Sequence, residues 1–97
     1  MARTEPTERT TLTLTNRLGF HARAAMLWVQ TVRRFTAAVR VGFQGQWVDG
    51  RSVLELITLG APQGSLIEVE AEGGDARELL AAVRELVERN FHEEQRS

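Results

Sequence analysis

The stretch "LIEVEAEGGDARELLAAVRELVERNF", residues 66–91, changes its hydrophobic period halfway along, and this change decides the fold class. In its first part Ile67, Val69 and Ala71 alternate with glutamates, which is typical of a β-strand that buries one face. The second part predicts an amphipathic helix over 75–91, with an apolar face of Leu79, Leu80, Val83, Leu86, Val87 and Phe91. Each element has one apolar face, which indicates a sheet covered on one side by helices.

The rest of the chain repeats these two kinds of segment. Alternating residues predict three more strands, over 10–15, 38–43 and 46–49, the last two joined by a turn at Gly45. Helical spacing predicts two more helices, over 22–35 and over 51–59 before Gly60. The order β-α-β-β-α-β-α, with strands that alternate and are not continuously apolar, predicts the α+β class: a four-stranded antiparallel sheet covered on one face by three helices.

Local signals predict where the domain and two of its helices begin. Residues 1–9 are polar and predict a mobile leader, residues 10–91 form the domain, and residues 92–97 form a polar tail. A Ser or Asp followed three residues later by Glu is a capping box. Ser52 with Glu55, and Asp75 with Glu78, fit this pattern.

The composition limits the classes of function. The chain has 97 residues, of which 42% are hydrophobic and 26% charged, as in one soluble globular domain. It has no apolar run of roughly 20 residues and no signal-peptide core, so we expect a cytoplasmic protein without membrane insertion. The absence of cysteine excludes a disulfide, a thiolate nucleophile and a sulfur-rich zinc site. With only two histidines, we expect no metal and no other cofactor.

The charge is unevenly distributed. Residues 17–51 contain six arginines and one acid, whereas residues 68–96 contain nine acids and four arginines. The basic half could attract an acidic protein, a phosphorylated group or nucleic acid. We expect no nucleic acid, because the strands lack an exposed aromatic pair and the chain has no lysine-rich tail.

A histidine occupies an unusual place in "NRLGFHARAAM", residues 16–26. His21 precedes a predicted helix, where Ser, Thr, Asp or Asn caps better, and the simplest interpretation is a surface or half-buried histidine that happens to begin a helix. However, a helix N-terminus favours an anion and disfavours a protonated imidazole. A neutral His21 could attack phosphorus, with the backbone N–H groups of Ala22 and Arg23 cradling the phosphate and the Arg23 guanidinium clamping it. This arrangement predicts a phosphoryl-accepting histidine.

Two segments together, "GFHARAAMLWVQTV" and "RSVLELITLGAPQG", resemble HPr, the family of histidine-containing phosphocarriers of the bacterial sugar phosphotransferase system. The resemblance covers about Thr10 to Phe91 and implies an HPr-like open-faced β-sandwich. It implies that His21 accepts a phosphoryl group on Nδ1 from phosphorylated enzyme I and passes it to the A domains of sugar-specific enzymes II. Arg23 takes the place of the family's active-site arginine. The chain would be a monomeric carrier and not an enzyme.

The resemblance also assigns a regulatory serine and a docking surface. Ser52 takes the place of the serine that an HPr kinase/phosphorylase modifies in some lineages, although its capping box also explains it. The predicted partner contacts are Arg17, Phe20, Val53, Leu54 and Leu56, of which Leu56 also fits the core. Two residues depart from the family pattern: Ala24 stands where proline is usual, and Glu55 where glycine or lysine is frequent.

One alternative remains open at this point. It is a regulatory interaction module of the same fold, which binds partners through the Ser52 to Leu56 surface in nitrogen-branch or serine-phosphorylation-dependent signalling. A hydrolase that uses Ser52, His21 and Asp49 is disfavoured, because neither a nucleophile elbow nor an oxyanion loop supports it. Trp28 and Trp47 are expected to pack, and His92 to be solvated.

Overall fold

The computed structural model describes residues 7–92, which form four strands and three helices. In chain order they are β1 (Thr7–Thr13), α1 (Ala22–Val32), β2 (Ala38–Phe43), β3 (Gln46–Asp49), α2 (Val53–Leu59), β4 (Leu66–Glu72) and α3 (Ala76–Glu88), followed by a 3₁₀ turn (Asn90–His92). The predicted order of elements is confirmed. Within residues 7–92, no helix combines the length and the apolar character that a membrane crossing requires.

The sheet is antiparallel throughout, in the order β1-β4-β2-β3. On the face toward the helices, Ile67 lies opposite Leu12, and Val69 lies opposite Val41. These side chains are buried in one core with those of the helices. The alternation of buried and exposed residues along the strands confirms the predicted α+β class and the one-sided sheet.

The other face of the sheet is open and carries a row of charges. Glu70 lies between Arg9 and Arg40 in the register, with its Oε2 2.7 Å from a guanidinium nitrogen of Arg9 and its Oε1 3.5 Å from one of Arg40. The Arg40 guanidinium also lies 5.0 Å from the ring centre of Trp47, and this ring covers Gly42. Trp47 therefore packs on the open face, whereas Trp28 is fully buried in the core.

The first strand begins earlier than predicted. Residues 7–9, assigned to the leader, pair with residues 70–72 of β4. The sequence did not predict this pairing, because "TER" has no apolar alternation and is held by backbone hydrogen bonds and the Arg9–Glu70 ion pair. The rest of the predicted leader, residues 1–6, and residues 93–97 of the predicted tail lie outside the described residues.

Two helices end before their predicted last residues. The first ends at Val32, and Phe35, predicted to be helical, lies beyond it, half-buried against the core. The third ends at Glu88, and the following residues Asn90, Phe91 and His92 have φ of 54°, 54° and 57°. This left-handed turn still buries Phe91, which is 2% exposed. The apolar pattern of the sequence therefore continued to Phe91, although the helix itself ends three residues earlier.

The two predicted capping boxes form differently. Ser52 Oγ accepts from Glu55 N at 3.2 Å, as predicted, whereas the Glu55 carboxylate accepts from Asp49 N at 2.9 Å and not from Ser52 N. The predicted box at Asp75 is wrong. Its carboxylate instead accepts from Thr36 N at 2.8 Å and from Ala37 N at 2.9 Å, so Asp75 joins the start of α3 to the connection before β2.

These hydrogen bonds lower the pKa of Asp75, with the bond from the Thr36 N–H as the largest cause. Because the native pKa lies below that of the unfolded chain, ionised Asp75 stabilises the fold at neutral pH, and this contribution is lost as the pH falls through both values. We expect Asp75→Asn to unfold at lower urea concentration than the parent above about pH 5, and the difference to shrink toward about pH 3. Urea titrations followed by circular dichroism measure it.

The control is Glu78→Gln, an exposed carboxyl in the first turn of the same helix. This variant removes a carboxyl from the same helix but leaves the hydrogen bonds from Thr36 N and Ala37 N intact, so at neutral pH it should lose less stability in urea than Asp75→Asn. A difference between Asp75→Asn and the parent that stays constant down to the acid limit would contradict the role given to the ionised carboxylate.

Candidate functional site

His21 is the N-cap of α1. Its backbone is extended, with φ −81° and ψ 179°, and its side chain does not cap the helix. The first helical hydrogen bond runs from Ala25 N to His21 O, at 2.9 Å. The N–H groups of Ala22, Arg23 and Ala24 therefore precede this bond, as at any α-helix start. The structure thus places the half-exposed imidazole at the helix end that carries these N–H groups, as the sequence predicted.

The loop before His21 is pressed against the segment that follows α2. Phe20 N donates to Ala61 O at 3.0 Å. Gly19 has φ +61°, and a Cβ at this position would lie 2.2 Å from Ala61 O and 2.8 Å from the Pro62 backbone. Only glycine fits this approach without a backbone shift, so Gly19 fixes the path of the chain into the histidine.

Phe20 is part of the core. It is 3% exposed, and its ring centre lies 5.3 Å from that of Trp28 and 5.7 Å from that of Phe91. The prediction that Phe20 contacts partners is therefore wrong. The residue before the histidine points inward because it extends an aromatic cluster, and in this way it anchors the start of α1.

The first turn of α1 presents one cation beside the histidine. Ala22 and Arg23 are exposed, whereas Ala24 is 0% exposed. Alanine in place of the family's usual proline leaves the helix start intact and adds one N–H to the first turn. Arg17 is exposed as well, before the loop of Gly19 and Phe20. The guanidiniums of Arg17 and Arg23 thus flank the histidine along the chain.

Of the three predicted docking residues on α2, only Leu54 is mostly exposed. Leu54 is 71% exposed, Val53 is half-buried and Leu56 is 0% exposed. The prediction that Leu56 contacts partners is wrong, because it points into the core, as its alternative assignment had it. Ser52 stands at the opposite end of the seven-residue α2 from Ala61, and a helix of this length spans about 10 Å.

Two exposed apolar residues near the histidine were missed by the sequence analysis. Leu18 is 68% exposed and Met26 is 51% exposed. Met26 lies one helical turn after Ala22, on the face of α1 that also carries Arg23. The sequence held a signal for Met26, since it falls outside the stripe of Ala25, Trp28, Val29 and Val32, which recur at helical spacing and are buried. Leu18, in its turn, gave no such signal.

The remaining candidate residues add no metal site to the part of the chain that the structure describes. Within residues 7–92, no three His, Cys, Asp or Glu side chains are grouped as a metal site requires. Asp49 Oδ1 accepts from Arg51 N at 2.9 Å, so Asp49 and the capping Ser52 are both held in the turn before α2. His92 is exposed, after the end of α3.

Comparisons with known proteins agree with this geometry. Residues 8–89 match the family described as "PTS HPr component phosphorylation site". Phosphocarrier protein HPr of Xylella fastidiosa is 37% identical over 83 residues, 86% of this chain and 93% of that protein. The crystal structure of HPr-C-His from Thermoanaerobacter tengcongensis has a TM-score of 0.86 at 34% identity, covering 91% and 99% of the two chains. The crystal structure of a phosphocarrier protein HPr from Bacillus anthracis has a TM-score of 0.80 at 31% identity, and the match covers 84% of this chain and 96% of that one. Since the match spans both segments that the sequence resemblance rests on, the chain belongs to the HPr family of phosphocarrier proteins.

Proposed function

We propose that His21 accepts a phosphoryl group from phosphorylated enzyme I and passes it to the A domains of sugar-specific enzymes II. The observation that carries the proposal is the position of the imidazole at the start of α1, beside N–H groups that precede the first helical hydrogen bond. These N–H groups and the positive end of the helix dipole stabilise a bound dianion.

The transfer step needs only one nucleophilic atom on this chain. The lone pair of His21 Nδ1 attacks phosphorus, the N–P bond forms, and the bond between phosphorus and the donor's side chain breaks, with its electron pair returning to the donor. In the second transfer an acceptor protein attacks the same phosphorus, and the N–P electron pair returns to Nδ1. His21 ends as it began, so the protein is a carrier that is regenerated in each cycle.

Incubation with phosphoenolpyruvate and enzyme I should add one phosphoryl group that is stable in base and labile in acid, as a phosphoramidate is. We expect His21→Ala to abolish this labelling and His92→Ala, which removes the exposed second histidine, to leave it unchanged. Intact-protein mass spectrometry measures both. Labelling of His21→Ala to the level of the parent would contradict the carrier function.

Arg23 contributes charge to the same site. Arg23 is the second residue of α1 and its side chain is exposed, so it can extend toward a phosphoryl group on His21 without any change in the core. A guanidinium binds phosphate oxygens with two parallel N–H donors. We therefore assign Arg23 the clamping of the phosphoryl group in both transfers.

We expect Arg23→Ala to keep the parent's fold and to slow phosphoryl transfer about tenfold or more, because one charge-assisted contact to a dianion is lost. The matched control is Arg33→Ala, which removes an exposed arginine at the other end of the same helix and should transfer at the parent's rate. Rapid-quench measurements of uptake from enzyme I and of delivery to an A domain test both directions. Unchanged rates in Arg23→Ala would remove it from the site.

Partner proteins dock on a surface that we call the apolar rim, which consists of Leu18, Met26 and Leu54. Each of these side chains is more than half exposed, although large apolar residues favour burial. Arg17 precedes Leu18 in the chain, and Arg23 lies three residues before Met26 on the same face of α1; both arginines are exposed. We therefore expect partners that present apolar side chains bordered by carboxylates, with Val53 contributing only its exposed part.

Phosphorylation of Ser52 is proposed as the regulatory event at this surface. Ser52 precedes Leu54 by two residues, and the Asp49 and Glu55 carboxylates belong to the same turn. A phosphate there carries about −1.5 to −2 charges. It would add negative charge where an acidic partner approaches, which lowers both the association rate and the affinity.

Ser52→Asp imitates part of this charge and keeps a good helix cap, so its melting temperature should stay within roughly 5 °C of the parent's. We expect it to accept phosphate from enzyme I more slowly than the parent at low salt, with a deficit that shrinks as salt screens the charges. Ser52→Asn, an uncharged cap, is the control and should match the parent. Equal rates for all three proteins at low salt would show that Ser52 only caps α2.

A further inference from the structure

We propose that Asn16 is a positioning residue for phosphoryl transfer, which it serves by holding the backbone of His21 through the carbonyl of Gly19. The proposal rests on the proposed phosphorylation of His21 and adds a residue that lies outside the two segments on which the family resemblance rests. Asn16 is 1% exposed, and it is one of two buried polar residues, with Ser65, in residues 7–92. A buried amide side chain is costly unless it is hydrogen-bonded, so its bonds indicate what it stabilises.

Two groups donate to the same carbonyl oxygen. Asn16 Nδ2 donates to Gly19 O at 2.7 Å, and His21 N donates to that oxygen at 2.9 Å. Gly19 N donates in turn to Asn16 O at 3.3 Å. Asn16 thus closes the loop with both its backbone and its side chain. Its side chain holds Gly19 O, the oxygen that accepts from His21 N.

Contacts with the protein core also hold the loop of residues 16–21. The Gly19 Cα faces Ala61 O so closely that no Cβ fits, and Phe20 is anchored among Trp28 and Phe91. The peptide plane between Gly19 and Phe20 is then held at both ends, because its N–H donates to Ala61 O and its carbonyl accepts from the Asn16 amide. The carbonyl held in this way accepts from His21 N, at the start of α1.

Phosphoryl transfer needs a fixed His21 backbone, because the reacting nitrogen must approach phosphorus in line with the leaving group. A displacement of about 1 Å from such a geometry can cost on the order of a hundredfold in rate. Asn16 is buried and makes no contact with a docked partner, so its loss should lower the turnover of the bound complex and leave the binding step almost unchanged.

Two variants test the role. Asn16→Asp keeps the shape of the side chain but replaces the donor with a carboxylate that repels Gly19 O, and Asn16→Ala removes the side chain. With the carrier as the varied substrate of enzyme I, we expect kcat to fall about tenfold or more in both variants, with KM within about twofold of the parent's. We also expect amide hydrogen exchange at His21 N to become about tenfold faster, because the Gly19 carbonyl that accepts from it loses the Asn16 hydrogen bond that holds it in place.

The control is Val69→Ala, which opens a cavity at a fully buried position of β4 and lowers stability without touching the loop. It should keep the parent's kcat and the parent's exchange rate at His21, measured at a temperature where circular dichroism shows every variant to be folded. A kcat in Val69→Ala as low as in the Asn16 variants would mean that stability alone is responsible, and it would overturn the proposal.

The outcomes separate this proposal from the one it rests on. If the parent is not phosphorylated at His21, the proposed function fails, while hydrogen exchange still reports whether Asn16 holds the histidine backbone. If the parent is phosphorylated and folded Asn16→Ala keeps both its kcat and its exchange rate, the positioning role is overturned. A low kcat with unchanged exchange at His21 N also overturns it, because the effect would then not pass through the Gly19 carbonyl.

Discussion

The close approach of Gly19 to Ala61 joins the two parts of the chain that carry the proposed functional residues. Phe20 N donates to Ala61 O, and the absence of a side chain at Gly19 allows the backbones to meet. Because the chain is held at this point, Phe20 can turn into the aromatic cluster while His21 turns outward at the start of α1. A side chain at residue 19 would separate the loop from the segment after α2 and release the histidine from its position.

A carrier of the proposed kind must show the same atom to donor and acceptor proteins in turn. An enclosed pocket would hinder this, whereas an imidazole at an exposed helix end can be approached by a surface. Rigidity then has to come from beneath the site, since no bound substrate orders it. Phe20, Ala24 and Asn16, which are at most 3% exposed, hold the backbone from which a half-exposed histidine and an exposed arginine extend.

The elements that were predicted correctly depend on neighbours along the chain, and those that were not depend on distant ones. Alternation in 66–72 predicted the strand because burial of Ile67 and Val69 follows from the pleat alone. Asp75 has the sequence of a capping residue, yet its carboxylate binds N–H groups 38 and 39 residues away. Phe20 looked like part of an exposed motif, and its burial depends on Phe91, from the far end of the domain. No local pattern contains these contacts.

Glu55 shows how a departure from a family pattern can serve the fold first. Its carboxylate accepts from Asp49 N, and its own N–H donates to Ser52 Oγ, so the residue closes the turn from β3 into α2 from both sides. Glycine could not make the first of these bonds, and lysine has no acceptor to offer. The carboxylate nevertheless remains exposed next to Leu54. Under the proposed docking, a partner that binds Leu54 must therefore tolerate a negative charge at the edge of the apolar rim, and acidic partners would be distinguished by where their carboxylates lie and not by their net charge.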